Sequence, residues 1–312
     1  MKNTLALAIS LMTAILSSGC RQELKDISSV SFPEAPIEIM SNEAVGMELI
    51  NYFNIIQLPD GTYRMYFSAI KEKGDGSDWD QNLYYAESTD GFSYEFKGKV
   101  MDTIVEQTVF LVDDRDRPFR MVGNILVDGR HNLCLWKSRD GLTFDEKKVL
   151  SAEVFDTQNV MIERSGRLRL YTRINLEEGR NRRVAVAEFT LDGEPVSDFK
   201  LLPGDFLYNS ATCKTDERHD VLFPTYLNDY DGDHAECYIK TFVTDGLYDK
   251  EIPCDLNRWI EPGELWALVA PGFITINGER YLAYNTITKS HGTVRSDAVS
   301  KYKLIKAVVG YD

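Results

Sequence analysis

Residues 83–96 read LYYAESTDGFSYEF and residues 133–146 read LCLWKSRDGLTFDE. In each, an alternating apolar stretch runs into Ser-x-Asp-Gly and then, two residues on, into an aromatic followed by an acid. The Asp-Gly step recurs at Asp192 and Asp245, so the four turns stand 50, 52 and 53 residues apart. Upstream of each lies a strand-like stretch: 82–88, 133–138, 183–190 and 236–244. Before these come GTYRMYFSA (61–69), RPFRMVGN (117–124), GRLRLYTR (166–173), HDVLFPTY (219–226) and GERYLAYN (278–285). A third set lies further upstream: YFNIIQL (52–58), TVFLVD (108–113), NVMIER (159–164), SATCKT (210–215) and APGFITI (270–276). All alternate or run apolar, rich in β-branched and aromatic residues, with turn residues between. Asp60-Gly61, Asp192-Gly193 and Asn277-Gly278 are short-hairpin signals.

A repeat of about fifty residues carrying four antiparallel strands reads as a propeller blade. A lone four-stranded sheet leaves both faces apolar, so blades must stack on one another. The third set counts five of them. The sequence therefore predicts an all-β fold, a five-bladed β-propeller of four-stranded antiparallel blades. The Ser-x-Asp-Gly stretch is the outer hairpin of each blade. The fifth lacks a clear Asp-Gly strand, and the segment 37–40 is placed to supply it and close the ring.

The first twenty residues form no part of that pattern. Lys2 precedes an apolar run from Leu5 to Leu16, which stops at Ser17-Ser18-Gly19 ahead of Cys20. Such a run is too short to span a bilayer and reads as a leader. Small residues before a cysteine resemble a bacterial lipoprotein signal, implying lipidation of Cys20 and an envelope protein anchored to a membrane, the outer one, facing the periplasm or the cell surface. The expected layout is a leader at 1–20, a linker at 21–30 and the propeller at 31–312. The chain is 43% apolar with a net charge of −14, spread along its length. No basic stripe exists to bind nucleic acid. Besides Cys20, Cys134, Cys213, Cys237 and Cys254 show no Cys-x-x-Cys spacing. They read as buried thiols, with Cys237–Cys254 the one pair to test as a disulfide.

Propeller topology places a functional site where the innermost strands begin and where the loops joining second and third strands open. Just before the innermost strands stand Glu48 and Asn51, Glu106 and Gln107, Asp156 and Gln158, Tyr208 and Asn209, and Trp266. The loops 71–81, 126–132, 174–183, 227–236 and 286–297 bring Trp79, Arg130, His131, His234 and His291, with Arg173 at a loop edge. Trp79 and Trp266 offer flat apolar faces on which a sugar ring would stack. Gln107, Arg130, His131, Gln158, Arg173, Asn209, His234 and His291 supply hydrogen-bonding partners for its hydroxyls. The string DYDGDH (229–234) spaces Asp229, Asp231 and Asp233 as calcium ligands are spaced. It lacks the glycine at position six and the glutamate at position twelve of a helical calcium loop. It reads as a solvated acidic loop, so no metal or other cofactor is expected, calcium being the one to test.

Five blades, strands of the YRMYFSA type and hairpins of the YYAESTDGFSYEF type resemble the arabinanase, levansucrase and invertase superfamily, which includes glycoside hydrolase families 43 and 32. The resemblance covers nearly all of the chain after the leader and is one of scaffold. It implies a base or nucleophile, a stabilising acid and a general acid arising from blades one, two and three, and hence catalytic roles for Glu48, Glu106 and Asp156. One carboxyl must stay protonated for the leaving oxygen while another is ionised. The stretch FDTQNVMI (155–162) is similar to an Asp-x-Gln-Asn strand of some glycosidase-like propellers. Two departures stand out: the Asn-Asp-Pro-Asn-Gly of family 32 is absent, and the blade-one Asp and blade-three Glu of family 43 are reversed here. The expected function is an exported, lipid-anchored glycoside hydrolase acting on oligo- or polysaccharide. The alternative is a non-catalytic propeller lipoprotein that binds a glycan or a protein.

Overall fold

The computed structural model describes residues 27–70, 81–127, 130–151, 160–164, 166–175, 182–202, 210–214, 219–228, 236–245, 249–260, 269–287 and 299–312. Two strands, β1 (Ile27–Ser31) and β2 (Ile37–Ser41), precede the first blade. Blade one is β3 (Leu49–Gln57), β4 (Tyr63–Ile70), β5 (Asn82–Ser88) and β6 (Glu95–Met101), hydrogen-bonded in that order. Blade two follows with β7 (Val105–Leu111), β8 (Phe119–Val127), β9 (Arg130–Ser138) and β10 (Phe144–Ser151), and blade three with β11 (Val160–Arg164), β12 (Arg167–Asn175), β13 (Arg182–Thr190) and β14 (Lys200–Leu201). Blade four comprises β15 (Ser210–Lys214), β16 (Asp220–Asn228), β17 (Glu236–Ile239), β18 (Phe242–Thr244) and β19 (Asp249–Glu251). Blade five has β20 (Val269–Ile276), β21 (Glu279–Ile287) and β22 (Ser300–Lys306), and the chain ends on β23 (Val308–Tyr311).

The fold is the five-bladed propeller that the fifty-residue repeat predicts. Its ring closes as expected: β2 is the fourth strand of blade five, pairing antiparallel with β22 from Ile37↔Leu304 to Ser41↔Lys301. A second closure pairs β1 with β23. Residues 27–30, read in the sequence as linker, thus belong to a strand of the fold. In blade four the stretch 236–244 is one strand in two pieces, both laid on β16. Beside the break, the Asn257 side chain receives a hydrogen bond from Ile239 N (2.8 Å) and donates one to Ile239 O (2.7 Å).

Apolar residues lie on both faces of each blade, as in the almost continuously buried β4, and the core falls into one layer per seam. Tyr66 and Leu83 of blade one meet Val109, Met121 and Trp136 of blade two. Val122 and Leu135 meet Leu168 and Leu170 of blade three, and Tyr171 and Val186 meet Leu222 of blade four. Phe223 and Ile239 meet Leu282 and Tyr284 of blade five, with Ile27, Val30 and Phe32 added. Tyr302 and Leu304 then meet Phe53 and Met65 of blade one. Burying a side chain of this size stabilises by about 1.5–3 kcal/mol relative to exposure.

The repeated Ser-x-Asp-Gly stretch is the turn between third and fourth strands. Asp90 Oδ1 accepts from the backbone N–H groups of Phe92 and Ser93, each at 2.7 Å, while Gly91 N donates to Ser88 Oγ at 2.8 Å. Asp140 and Ser138 repeat this with Leu142, Thr143 and Gly141. Gly141 (φ 73°) sits so close to blade one that a Cβ there would come within 2.4 Å of Tyr66 Oη. Arginines on second strands reach across three seams to the next blade's turn: Arg64 to Asp140 O (2.9 Å), Arg120 to Leu191 O (3.2 Å) and Arg169 to Asp245 O (3.0 Å). The turn is therefore also the docking point between blades. Between blades three and four, fully buried Asp220 accepts from Tyr171 Oη at 2.6 Å and lies 3.5 Å from Arg169. Cys134 is buried, its thiol pushed up to about 11 by desolvation, and Cys254 is half-buried. Both are free thiols, so Cys254 forms no disulfide with Cys237.

Candidate functional site

We call the face at which the innermost strands begin the upper face. On it the innermost strands of three blades each carry one extra residue. Ile50↔Ala69 is followed by Phe53↔Phe67, Val105↔Asn124 by Thr108↔Val122, and Val269↔Asn285 by Gly272↔Ala283. Three steps on the inner strand thus oppose two on its partner, a β-bulge that bends the strand and re-aims its side chains. The bulged residues are Asn51 and Tyr52 in blade one, Glu106 and Gln107 in blade two, and Ala270 and Pro271 in blade five.

Glu106 and Gln107, expected just before their strand, therefore lie within β7. Glu106 adopts φ 57° and is only 4% exposed. A non-glycine residue there is strained by about 1–3 kcal/mol, a condition that clusters at functional sites. Its Oε2 accepts from Asn124 Nδ2 at 3.0 Å, and Asn124 is itself buried on β8. Gln107 ties the first seam: it accepts from Ser68 Oγ at 2.5 Å and donates to Tyr52 O at 2.9 Å. Asn54 clasps the neighbouring inner strand, donating to Val109 O at 2.6 Å and accepting from Val109 N at 3.0 Å. On the other side of blade one, Tyr302 Oη donates to Asn51 O at 2.5 Å, and burial pushes that phenol well above its ordinary value. Ser300 Oγ accepts from Ile50 N, and Asn42 joins Ser300 N to Glu48 O.

Glu48 stands immediately ahead of β3, half-buried, its amide bonded to Ile70 O. Arg130 and His131, expected on a loop, lie on β9 instead, opposite Val127 and Leu126. The pairing of β8 with β9 runs as far as Val127↔Arg130. Arg173 lies on β12 opposite Val184. All four positions fall at the upper ends of blades one to three. Cys20, Trp79, Asp156, Gln158, Asn209, His234, Trp266 and His291 lie outside the described residues, as does the acidic string 229–234.

Sequence reasoning missed Ser68 and Asn124. Both interrupt stretches that otherwise read as apolar, YRMYFSA and RPFRMVGN, at the end nearest the upper face. The same end of the other second strands holds buried Thr172 and Asn285. Thr172 Oγ1, both amide atoms of Asn285, Asn51 Oδ1 and Gln81 Oε1 find no hydrogen-bond partner among the described residues. Leaving a buried polar atom unpaired costs about 1–3 kcal/mol, so this polar upper half of the ring is a departure from pure packing. Among the described residues no three His, Cys, Asp or Glu side chains converge as a metal site.

Solved structures similar to this chain include glycoside hydrolases. An α-L-arabinofuranosidase of Podospora anserina, in complex with cellotriose, superposes with a TM-score of 0.55 at 12% identity, over 91% of this chain and 97% of that one. A family 117 glycoside hydrolase of the marine bacterium Zobellia galactanivorans gives 0.57 at 13%, over 89% and 90%. A family 43 β-xylosidase/α-arabinofuranosidase from a compost metagenome, in complex with xylotriose, gives 0.54 at 12%, over 88% and 95%. No protein-family model and no curated protein sequence matches the chain. At these identities the likeness establishes the fold. The chain has the five-bladed propeller of the family 43, 62 and 117 glycoside hydrolases.

Proposed function

We propose that the protein is an exported, lipid-anchored glycoside hydrolase of the cell envelope that acts on oligo- or polysaccharide at the upper face of the ring. One observation carries this reading: Glu106, buried and held by Asn124, is kept in a strained bulge where blade two meets the axis. A glycosidase needs fixed carboxylates around the scissile bond, and strained backbone of this kind clusters at functional sites. The sugars bound by propellers of the same fold support a carbohydrate ligand. Glu48 and Asp156 supply the other two carboxyl groups, one protonating the leaving oxygen and one activating water. Sequence order assigns them to blades one and three, and we infer an inverting mechanism, which uses carboxyl groups about 6.5–9.5 Å apart to admit a water.

The test is a screen of the purified protein on aryl-glycosides and polysaccharides, with the anomer of the first product read by NMR. Cleavage with inversion is expected. Binding of an oligosaccharide without cleavage of any substrate would replace the hydrolase with a glycan-binding module.

A further inference from the structure

We propose that the ring sits on the membrane by its lower face, around β23, so that the upper face with Glu106 looks away from the lipid; this rests on the reading of Cys20 as the lipidated residue. The position of the first strand carries the argument. In blade five, β21 and β22 pair from Ile287↔Ser300 at the upper end to Tyr281↔Lys306 at the lower end. The chain continues from Lys306 directly into β23, whose last paired residue, Tyr311, faces Ile27. Ile27 therefore stands at the lower end of the ring, fully buried among residues of blades four and five.

Only residues 21–26 separate Ile27 from Cys20. Fully extended, the seven Cα steps reach about 25 Å. A folded body of some 290 residues has a radius of gyration of about 19 Å and is roughly 50 Å across. A tether of that length keeps the lower face beside the lipid and cannot carry the upper face to it. A second observation lies at the same place. Three exposed large apolar side chains, Ile37 (47%), Val308 (48%) and Tyr311 (42%), sit on β2 and on β23, the strand paired with β1, while the other four among the described residues belong to blades one to three. Apolar side chains beside a lipid anchor add contact area with the membrane. The occupant of this patch is the lipid surface. Its consequence is a site that meets soluble or surface-bound glycan from the side opposite the anchor.

The full chain, expressed with its own leader and reconstituted in phosphatidylcholine vesicles bearing a headgroup-linked acceptor dye, tests this. A fluorescent noncanonical residue replaces either Asp60, in the lower turn after β3, or Glu43, in the upper segment after β2; both are exposed. Energy transfer to the dye should be several-fold stronger from position 60. Equal transfer, or more from position 43, overturns the orientation while leaving the anchor standing. A chain that does not float with the vesicles refutes the anchor and the orientation together. In the I37S/V308S/Y311S variant, transfer from position 60 should fall; unchanged transfer overturns the apolar contact.

Discussion

Asn124 Nδ2 donates to Glu106 Oε2 at 3.0 Å, linking a buried amide on the second strand of blade two to a buried carboxylate on the first. The bulge after Val105 aims Glu106 and the ladder sets Asn124 opposite Val105, beside it, so neither residue alone marks the place. A carboxylate fixed in this way is preorganised: its geometry is set before substrate arrives.

Glu106→Gln keeps the shape and removes the ionisable group. It should lower kcat by about a hundredfold or more, the scale of a general acid or base, with a melting temperature close to wild type. Steady-state kinetics and thermal melts on the same preparation check both halves. A variant retaining full activity would remove Glu106 from the chemistry.

Asn124→Leu leaves the Glu106 carboxylate buried with a donor missing. It should lower the unfolding free energy by about 1–3 kcal/mol. Combined with Glu106→Gln, the loss should be smaller than the sum of the two, since the pair is one interaction. Urea melts of the four proteins measure that coupling.

Gly141→Ala should destabilise much more than Gly61→Ala. Both glycines have positive φ, 73° and 91°, so both substitutions cost about 1–2 kcal/mol from backbone alone. At Gly61 a Cβ meets nothing within 4 Å, whereas at Gly141 it meets Tyr66 Oη at 2.4 Å and Phe119 at 2.7 Å. The first seam would have to open. Denaturation midpoints of the two variants should separate accordingly, and equal midpoints would refute the turn as an interblade dock.

Asp220→Ala removes a fully buried carboxylate from Tyr171 and Arg169. Breaking such a pair costs about 3–5 kcal/mol, because the remaining partner is left uncompensated. Asp220→Asn should recover part of that by still accepting from Tyr171. Unfolding curves for both would show the order.

Acid should loosen the blade-one turn. The backbone N–H groups of Ser93 and Phe92, then the Ser88 hydroxyl, hold the Asp90 carboxyl at about 2, below its ordinary 3.8. A depressed folded-state value means stability that is present above about pH 4 and is lost as pH falls toward 2. Asp90→Asn should therefore be less stable than wild type at pH 5, with the gap closing by pH 2. A gap that does not change between those pH values would refute the ion's role.

Much of this fold was legible because its signals are local. Period-two alternation and Asp-Gly turns act over a few residues, so the sequence predicts the strand 82–88 to its observed ends and five blades. The site was less legible. Glu106 and Gln107 were singled out from their position, but as residues ahead of a strand rather than inside a bulged one. A bulge depends on how many residues the partner strand offers, which its own sequence does not state. Arg130 and His131 were assigned to a loop although Asp128-Gly129 is itself a short-hairpin signal. Ser68 and Asn124 passed as ordinary strand residues.

By itself, then, the sequence determined the repeat, the strand class, the turn chemistry and the segment that closes the ring, since each rests on residues close in the chain. Only the tertiary structure decided what meets across the seams. Ile37 finds Leu304, Ile50 finds Ser300, and Arg64 finds the turn at Asp140. Those contacts join residues that the chain holds far apart, and closing such long loops is repaid only when all five apolar layers form together.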